Sequence, residues 1–265
     1  EILLCIMKLL NLRMNRKKAV QYASNSQKIR VITEDWFNNN MFCPYCGNEY
    51  ITKFKNNRPV ADFFCPCCKE EYELKSKGAS ISNKVNDGAY NTMIERIMSV
   101  NNPNFFFMHY NKSNFQVENL VMVPKYFFSP EVIEKRKPLS GTAMRAGWTG
   151  CNILLRRIPN EGRIYIVQNE KELPIEKIIE KVHRTEFLRG SKMDARGWTL
   201  DVLNCVNMIG SRDFTLNQVY KFEEMLAVKH PENHHVKEKI RQQLQILRDN
   251  GIIEFNGRGY YSKVY

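Results

Sequence analysis

Long apolar runs are missing from this 265-residue chain: none approaches the eighteen or more residues of a membrane span, so a soluble protein is expected. Acid is in short supply as well. The 28 Asp and Glu face 40 Lys and Arg, a formal net charge of +12. Such a balance favours a polyanionic partner, nucleic acid first. A secretory signal is also lacking. Residues 1–10 are apolar but few, and they run into Arg13, Arg16, Lys17 and Lys18 with no small-residue cleavage site. They read as an amphipathic leader helix upstream of a start at Met7 or Met14, with a peripheral membrane anchor as the weaker reading. Without export, disulfides are disfavoured for the eight cysteines. Apolar content of 43% suffices for real cores in one large or two modest domains.

Cysteine spacing gives the strongest signal. Cys43-Pro44-Tyr45-Cys46 and Cys65-Pro66-Cys67-Cys68 form C-x2-C, an eighteen-residue gap, then C-x2-C. This is the spacing of a four-cysteine zinc ribbon, whose thiolates close a tetrahedral site. Cys67 paired with either neighbour would break the two-residue spacing, so Cys43, Cys46, Cys65 and Cys68 are the expected ligands. A closed site has no open coordination position, and Zn2+ is therefore assigned a structural part. Cys5, Cys151 and Cys205 are scattered and read as small packing residues.

Overlapping this set, Asp62 and Glu73-Leu74-Lys75 spell D…ExK. Alternation along a strand puts Glu73 and Lys75 on one face and Tyr72 and Leu74 on the other. Phosphodiester cleavage needs carboxylate oxygens for a hard cation such as Mg2+, and a donor that orients the attacking water. Asp62, at the end of a short apolar run that reads as the preceding strand, supplies the second carboxylate. An ordinary strand with a charged solvent face produces the same spacing, and the cysteines tip the balance.

Elsewhere, Ser26 is placed to cap a helix over 26–37 with Ile29, Ile32, Trp36 and Phe37 buried, and Glu34 and Asp35 beside that stripe. Asp87 is placed to cap a helix over 88–100 in which Ala89, Met93, Ile94, Ile97 and Met98 face the core. Dense apolar runs at 105–110 and 120–123 read as doubly covered strands, 163–168 closes the sheet, and 174–187 is a helix. His109 reads as a hydrogen-bonded structural residue. Lys135-Arg136-Lys137 and Arg145-Ala146-Gly147-Trp148 mark a basic loop able to enter a DNA groove, Trp148 being either a base contact or a buried anchor.

After a boundary at Gly190-Ser191 come helices at 200–208, 216–228 and 236–249, then strands at 252–255 and 260–264 around the turn 256–259, a winged helix. Its third helix sets Lys237, Lys239, Arg241, Gln242, Gln243, Gln245 and Arg248 around a buried stripe of Ile240, Leu244 and Leu247, with Arg258 in the basic wing. A protein-binding winged helix with a solvated charged face is the bland alternative. His234 and His235 read as exposed neighbours of the helix start.

The segments Asn57-Arg58-Pro59-Val60-Ala61-Asp62-Phe63, Glu73-Leu74-Lys75-Ser76-Lys77, Asn86-Asp87-Gly88-Ala89-Tyr90, Asn101-Asn102-Pro103-Asn104-Phe105-Phe106-Phe107, Arg145-Ala146-Gly147-Trp148 and the helix 237–249 resemble the DpnI family of methyl-directed restriction endonucleases. The resemblance runs from about Ser24 to Gly259. It implies an α/β fold: a restriction-endonuclease-like PD-(D/E)xK core over 24–190 with an inserted four-cysteine zinc site, followed by a winged-helix DNA-binding domain over 191–265, after a leader over 1–23. It further implies cleavage of double-stranded DNA at GATC carrying N6-methyladenine, blunt between methyladenine and thymine. Asp62 and Glu73 would hold Mg2+, Lys75 would position the water, and Trp148 would lie against the methyl groups. Arg145, Lys237, Lys239, Arg241, Gln242, Gln245 and Arg258 complete the expected DNA contacts. A monomer in the bacterial cytoplasm with no obligatory protein partner is expected. Two other classes compete: a methyl-DNA-binding regulator that does not cut, and a repair or mismatch endonuclease.

Overall fold

Aromatic side chains at strand spacing determine where the first core forms. The computed structural model describes residues 10–55, 61–79, 84–99 and 102–264. The chain divides into two compact units: Glu1–Ser82, Asn101–Lys125 and Ile164–Glu180 form one, and Asn83–Val100, Tyr126–Arg163 and Lys181–Tyr265 the other. In chain order the helices are α1 (Asn25–Asn40), α2 (Tyr90–Met98), α3 (Ile175–Thr185), α4 (Met193–Met208), α5 (Leu216–Tyr220), α6 (Glu223–Lys229) and α7 (Val236–Asp249). The strands are β1 (Thr52–Lys53), β2 (Phe63–Phe64), β3 (Glu71–Lys77), β4 (Val85–Ala89), β5 (Asn104–Tyr110), β6 (Val117–Val123), β7 (Ile133–Lys135), β8 (Gly150–Ile153), β9 (Ile164–Gln168), β10 (Lys171–Glu172), β11 (Asp213–Thr215), β12 (Ile253–Gly257) and β13 (Tyr260–Lys263).

The first unit holds a seven-stranded sheet in the order β1-β2-β3-β5-β6-β9-β10. Among the described residues only β3 and β5 run parallel, in the register Glu73↔Phe105 and Lys75↔Phe107. Phe105, Phe106, Phe107 and Met108 are buried, so a continuous apolar run makes a strand covered on both faces, as expected. Phe37 of α1 packs 4.7 Å from the rings of both Phe63 and Phe106, which clamps the helix on the sheet beside β3. Trp36 and Ile32 are buried with it. The helix starts one residue before the expected cap: Ser24 holds the N-cap position, and Ser26 lies inside. His109 is bound to Glu118 at 3.2 Å, in keeping with a structural part.

Three local expectations need correction. Asp87 caps no helix; it sits in β4 opposite Cys151 of β8, and α2 begins at Tyr90 after a bulge. Ladder hydrogen bonds there outweigh the cap that the sequence offered. Met93 and Ile97 are buried as expected, but Met98 is exposed because α2 ends there. The strand at Ile164–Gln168 is not the last of the sheet, since β10 folds back on it. Residues 1–9 of the expected leader helix lie outside the described residues; just beyond, Arg13 bridges to Gln116, and the Met14 N–H donates to Phe115 O at 2.9 Å.

In the second unit β4, β8 and β7 form a small antiparallel sheet against which α2 lies. The C-terminal part has the helices and ribbon of a winged helix, with two refinements. A third strand, β11, joins the wing, and the helix expected over 216–228 breaks into α5 and α6. Thr215 starts α5 with a reciprocal cap, its hydroxyl accepting from the Gln218 N–H at 3.2 Å while the Gln218 side chain accepts from the Thr215 N–H at 2.7 Å. Trp198, Phe214, Ile240, Leu244 and Leu247 are buried at its centre.

Candidate functional site

Each C-x2-C pair folds into a tight knuckle. Gly47 N–H returns to Cys43 O at 2.9 Å and Lys69 N–H to Cys65 O at 3.0 Å, and both turn residues take positive φ, +73° and +65°. Four sulfurs meet as a result. Cys43 and Cys68 lie 3.5 Å apart, Cys46 and Cys65 3.6 Å, and all four fall within 4.8 Å of one another. Zn–S bonds of about 2.3 Å in a tetrahedron put sulfurs about 3.8 Å apart, so the donor set fits a zinc ion in number, chemistry and spacing. Burial pushes the Cys43 thiol up to about 12. Burial acts in the same direction on Cys46, but the Asn48 N–H and the neighbouring thiols bring it down to about 7. Cys67 is exposed and stays outside the set, while Cys151 and Cys205 are buried packing residues as expected. Tyr72, fully buried in β3, places its hydroxyl 3.0 Å from Cys43 Sγ. A cysteine cluster is thereby bonded to the strand that carries Glu73 and Lys75.

Those two residues share one face of β3, with Lys75 Nζ 2.5 Å from Glu73 Oε1. Asp62 arrives from the turn before β2. Because β2 is only Phe63–Phe64, the strand pairing with β3 stops at Tyr72 among the described residues. Asp62 continues it with a side chain: its N–H donates to Tyr72 O at 3.0 Å, and its Oδ2 accepts from the Leu74 N–H at 3.0 Å. All three predicted residues line one cleft of about 550 Å3, opposite Arg30, Thr33 and Glu34 of α1. Burial, then the nearby charges of Glu73 and Glu34, raises the Asp62 pKa against the opposing pull of Leu74 N–H and Lys75. Three carboxylates, Asp62, Glu73 and Glu34, line the cleft beside two cations, Arg30 and Lys75.

Glu34, which the sequence does not mark out, also lines the cleft. The sequence places it beside a buried stripe, where an acid reads as solvent-facing. Instead it is 6% exposed, held by Arg30 Nε at 2.6 Å and Lys53 Nζ at 2.7 Å. Its only sequence signal is the i,i+4 spacing from Arg30, which is common on solvated helices. Arg30 also reaches to 4.0 Å from Asp62 Oδ1.

A larger cavity, about 1150 Å3, lies within the second unit. Its buried acid, Asp201, is already bound by Lys229 and by His230 at 2.9 Å, and the His230 ring stacks on Trp198 at 3.9 Å. Satisfied groups of this kind are structural. The smaller cleft is the one that gathers Asp62, Glu73 and Lys75.

The residues expected to meet DNA all fall in the second unit. Arg145 is exposed and Trp148 half-buried on the β7–β8 loop. Along α7, Lys237 pairs with Glu223 at 3.2 Å, Lys239 with Gln242 at 2.7 Å, and Arg241 with both Glu238 and the Tyr220 hydroxyl at 3.1 Å. Gln242 and Gln245 are exposed, as is Arg258, which sits at φ +46° between Gly257 and Gly259 in the wing turn. Gln243 departs from the expectation. It is buried, accepting from the Thr199 hydroxyl at 2.7 Å, because its position on α7 faces α4 rather than solvent.

A family model described as the Dam-replacing family, DpnI, matches residues 10–191, and a second, the Dam-replacing HTH domain, matches residues 194–263. The chain belongs to the Dam-replacing family. Both the cysteine cluster and the Asp62 cleft lie inside the stretch matched to DpnI, and α4 to β13 constitute the matched HTH domain. The match starts ten or more residues ahead of Ser24, which agrees with the bridge from Arg13 to Gln116, just before β6. Membership supports a methyl-dependent restriction-type nuclease that binds DNA through an HTH domain. Among the described residues no helix is long and apolar enough to cross a membrane.

Proposed function

We propose that this chain is a type II site-specific deoxyribonuclease that cuts duplex DNA at GATC carrying N6-methyladenine, by Mg2+-dependent hydrolysis that leaves blunt ends between methyladenine and thymine. The observation that carries the reading is the meeting of Asp62, Glu73 and Lys75 in one cleft in a member of the Dam-replacing family. On this reading the sheet around β3 is a PD-(D/E)xK core over 24–190, and the winged helix over 191–265 is a second reader of the same site. The protein works as a monomer in a bacterial cytoplasm.

Asp62 and Glu73 would hold the cation through hard carboxylate oxygens, the ligands that Mg2+ prefers. When bound, Mg2+ supplies charge neutralisation at the scissile phosphate and a more acidic water. Leu74 N–H fixes one oxygen of Asp62 and leaves the other facing Arg30. Lys75 orients Glu73 and donates to the attacking water, and Arg30, with a side chain 66% exposed, meets the substrate phosphate. The four cysteines would hold a structural Zn2+, which would tie the segment after β2 to the Cys43–Cys46 knuckle and, through Tyr72, to β3.

Specificity is supported by arithmetic. Burying one methyl group is worth about 0.8 kcal/mol, roughly a fourfold preference. Two methyls on a palindrome, tested by Trp148 and again by α7 and its neighbours, multiply that small factor. Arg145, Lys237, Lys239, Arg241, Gln242, Gln245 and Arg258 supply phosphate and base-edge donors.

Digestion with Mg2+ of one plasmid prepared with and without adenine methylation tests the proposal, alongside Asp62→Ala. Blunt fragments at GATC from the methylated plasmid alone are expected, with the variant slower by roughly 10³-fold, the equivalent of losing several kcal/mol of metal-assisted stabilisation. Binding without cutting by the unaltered chain would instead indicate a regulator, and nicking alone would indicate a repair enzyme.

A further inference from the structure

The loop joining β7 to β8 carries more chemistry than Arg145 and Trp148. Residues 135–150 contain Lys135, Arg136, Lys137 and Arg145 and not one acid. Their backbone is ordered by its own hydrogen bonds: Arg136 N–H to Gly150 O at 3.0 Å, Leu139 N–H to Trp148 O at 2.9 Å, Gly147 N–H to Leu139 O at 3.1 Å and Trp148 N–H to Arg145 O at 3.0 Å. Gly147, at φ +78°, makes the reversal. At the stem the Lys135 ammonium lies 5.2 Å over the Tyr90 ring. The Trp148 ring lies on the backbone of Gly150, where a Cβ would come within 2.8 Å of it. The six-membered ring of Trp148 thus packs on the stem, and the residue stays half-buried. At the far end the situation reverses, and Met144 is fully exposed.

On an ordered loop whose charges are all positive, the fully exposed Met144 is the apolar group that a polyanionic partner would meet. Four cations without an acid select a polyanion. A polyanion with an apolar interior is a base-paired duplex, whose phosphates lie outside and whose stacked bases lie within. The unbranched thioether of methionine adapts to an irregular gap between bases, and methionine is among the side chains that wedge into base steps. We propose that Met144 is a wedge that enters the base stack of duplex DNA while Lys135, Arg136, Lys137 and Arg145 hold the flanking phosphates. The wedge rests on the reading of the chain as a DNA-cutting enzyme and adds a mode of engagement to it: the site is opened at one step as it is bound.

The test uses the full chain and methylated GATC duplexes carrying 2-aminopurine at successive positions, without Mg2+ so that no cutting occurs. Unstacking raises the fluorescence of this base. With the unaltered protein a rise is expected at one step; Met144→Ala should abolish it and weaken binding roughly tenfold, with the salt dependence of binding unchanged. Met144→Leu should restore both. Arg145→Ala should do the reverse, reducing the log–log salt slope by about 1 while the fluorescence rise persists at saturation. Equal fluorescence and affinity for Met144→Ala and the unaltered chain would overturn the wedge, as would tight binding with no rise at any position. Loss of binding to anionic phosphatidylserine vesicles in Met144→Ala, with DNA binding intact, would assign the loop to a lipid surface and overturn it too. Failure of the unaltered chain to bind any duplex would sink the nuclease reading itself, and so the two failures are distinguishable.

Discussion

At the residue scale, the carboxylates of the cleft set both chemistry and stability. Burial together with Glu73 and Glu34 holds the Asp62 pKa above its ordinary 3.8, so the folded chain keeps that proton more tightly than the unfolded one. The sign follows from linkage. The stabilisation is present below the ordinary carboxyl range and is lost as pH rises through the raised value, leaving an ionised Asp62 that opposes folding at neutral pH. Asp62→Asn should therefore raise the thermal midpoint at pH 7 in Mg2+-free buffer while abolishing cleavage, and the difference in midpoint should vanish below about pH 4. Gln243 gives a contrasting case. Its side chain is buried against Thr199, so Gln243→Ala should cost about 0.5–1.5 kcal/mol of stability in chemical denaturation, by removing a buried hydrogen bond while the Thr199 hydroxyl keeps Ala195 O at 3.0 Å. Gln245→Ala, at an exposed position, should leave stability within about 0.5 kcal/mol of the parent.

At the scale of elements, one short strand, its longer neighbour β3 and a cysteine cluster do the positioning. The strand β2 is only two residues long, too short to fix Asp62 against β3 by pairing alone. The cluster makes up the deficit, because Cys65 follows β2 directly and Tyr72 of β3 touches Cys43. Tyr72→Phe should weaken zinc retention about 10–100-fold, measured by competition with a chromogenic chelator, as loss of an outer-shell hydrogen bond does elsewhere. Cleavage should fall with it when zinc is limiting and recover when zinc is added. The spacing of the cysteines was legible in the sequence because each C-x2-C is local. The bond from Tyr72 was not, since it joins side chains 29 residues apart whose faces depend on the sheet register. The same reasoning covers Asp87. Its cap potential is local, whereas its pairing with Cys151 spans a loop that no short-range pattern reveals.

For the whole molecule, an excess of twelve positive charges makes DNA binding depend on salt. Six to ten phosphate contacts would lower affinity about 10³–10⁵-fold between 50 and 200 mM salt. A flat response in filter-binding or anisotropy titrations would contradict a phosphate-dominated interface. The second unit joins the β4–β8–β7 sheet to the winged helix through contacts such as Asn207 with Glu161 at 2.8 Å and Lys229 with Glu131 at 2.7 Å. Lys229→Ala should therefore lower the midpoint of this unit, with a cost of about 1 kcal/mol or more, because it also strips a cation from buried Asp201. Differential scanning calorimetry measures that change.

The sequence by itself determined the elements whose signals are short-ranged: the paired cysteines, the alternation that puts Glu73 and Lys75 on one face, the phenylalanine run of β5 and the amphipathic stripe of α7. Tertiary structure alone decided the rest. Glu34 and Gln243 look solvent-facing along the chain and are buried, because partners from distant segments, Lys53 and Thr199, meet them; Met98 looks buried and is exposed, because α2 ends there. Burial is a property of what the fold brings alongside a residue, and periodicity reports only the residue's own helix or strand.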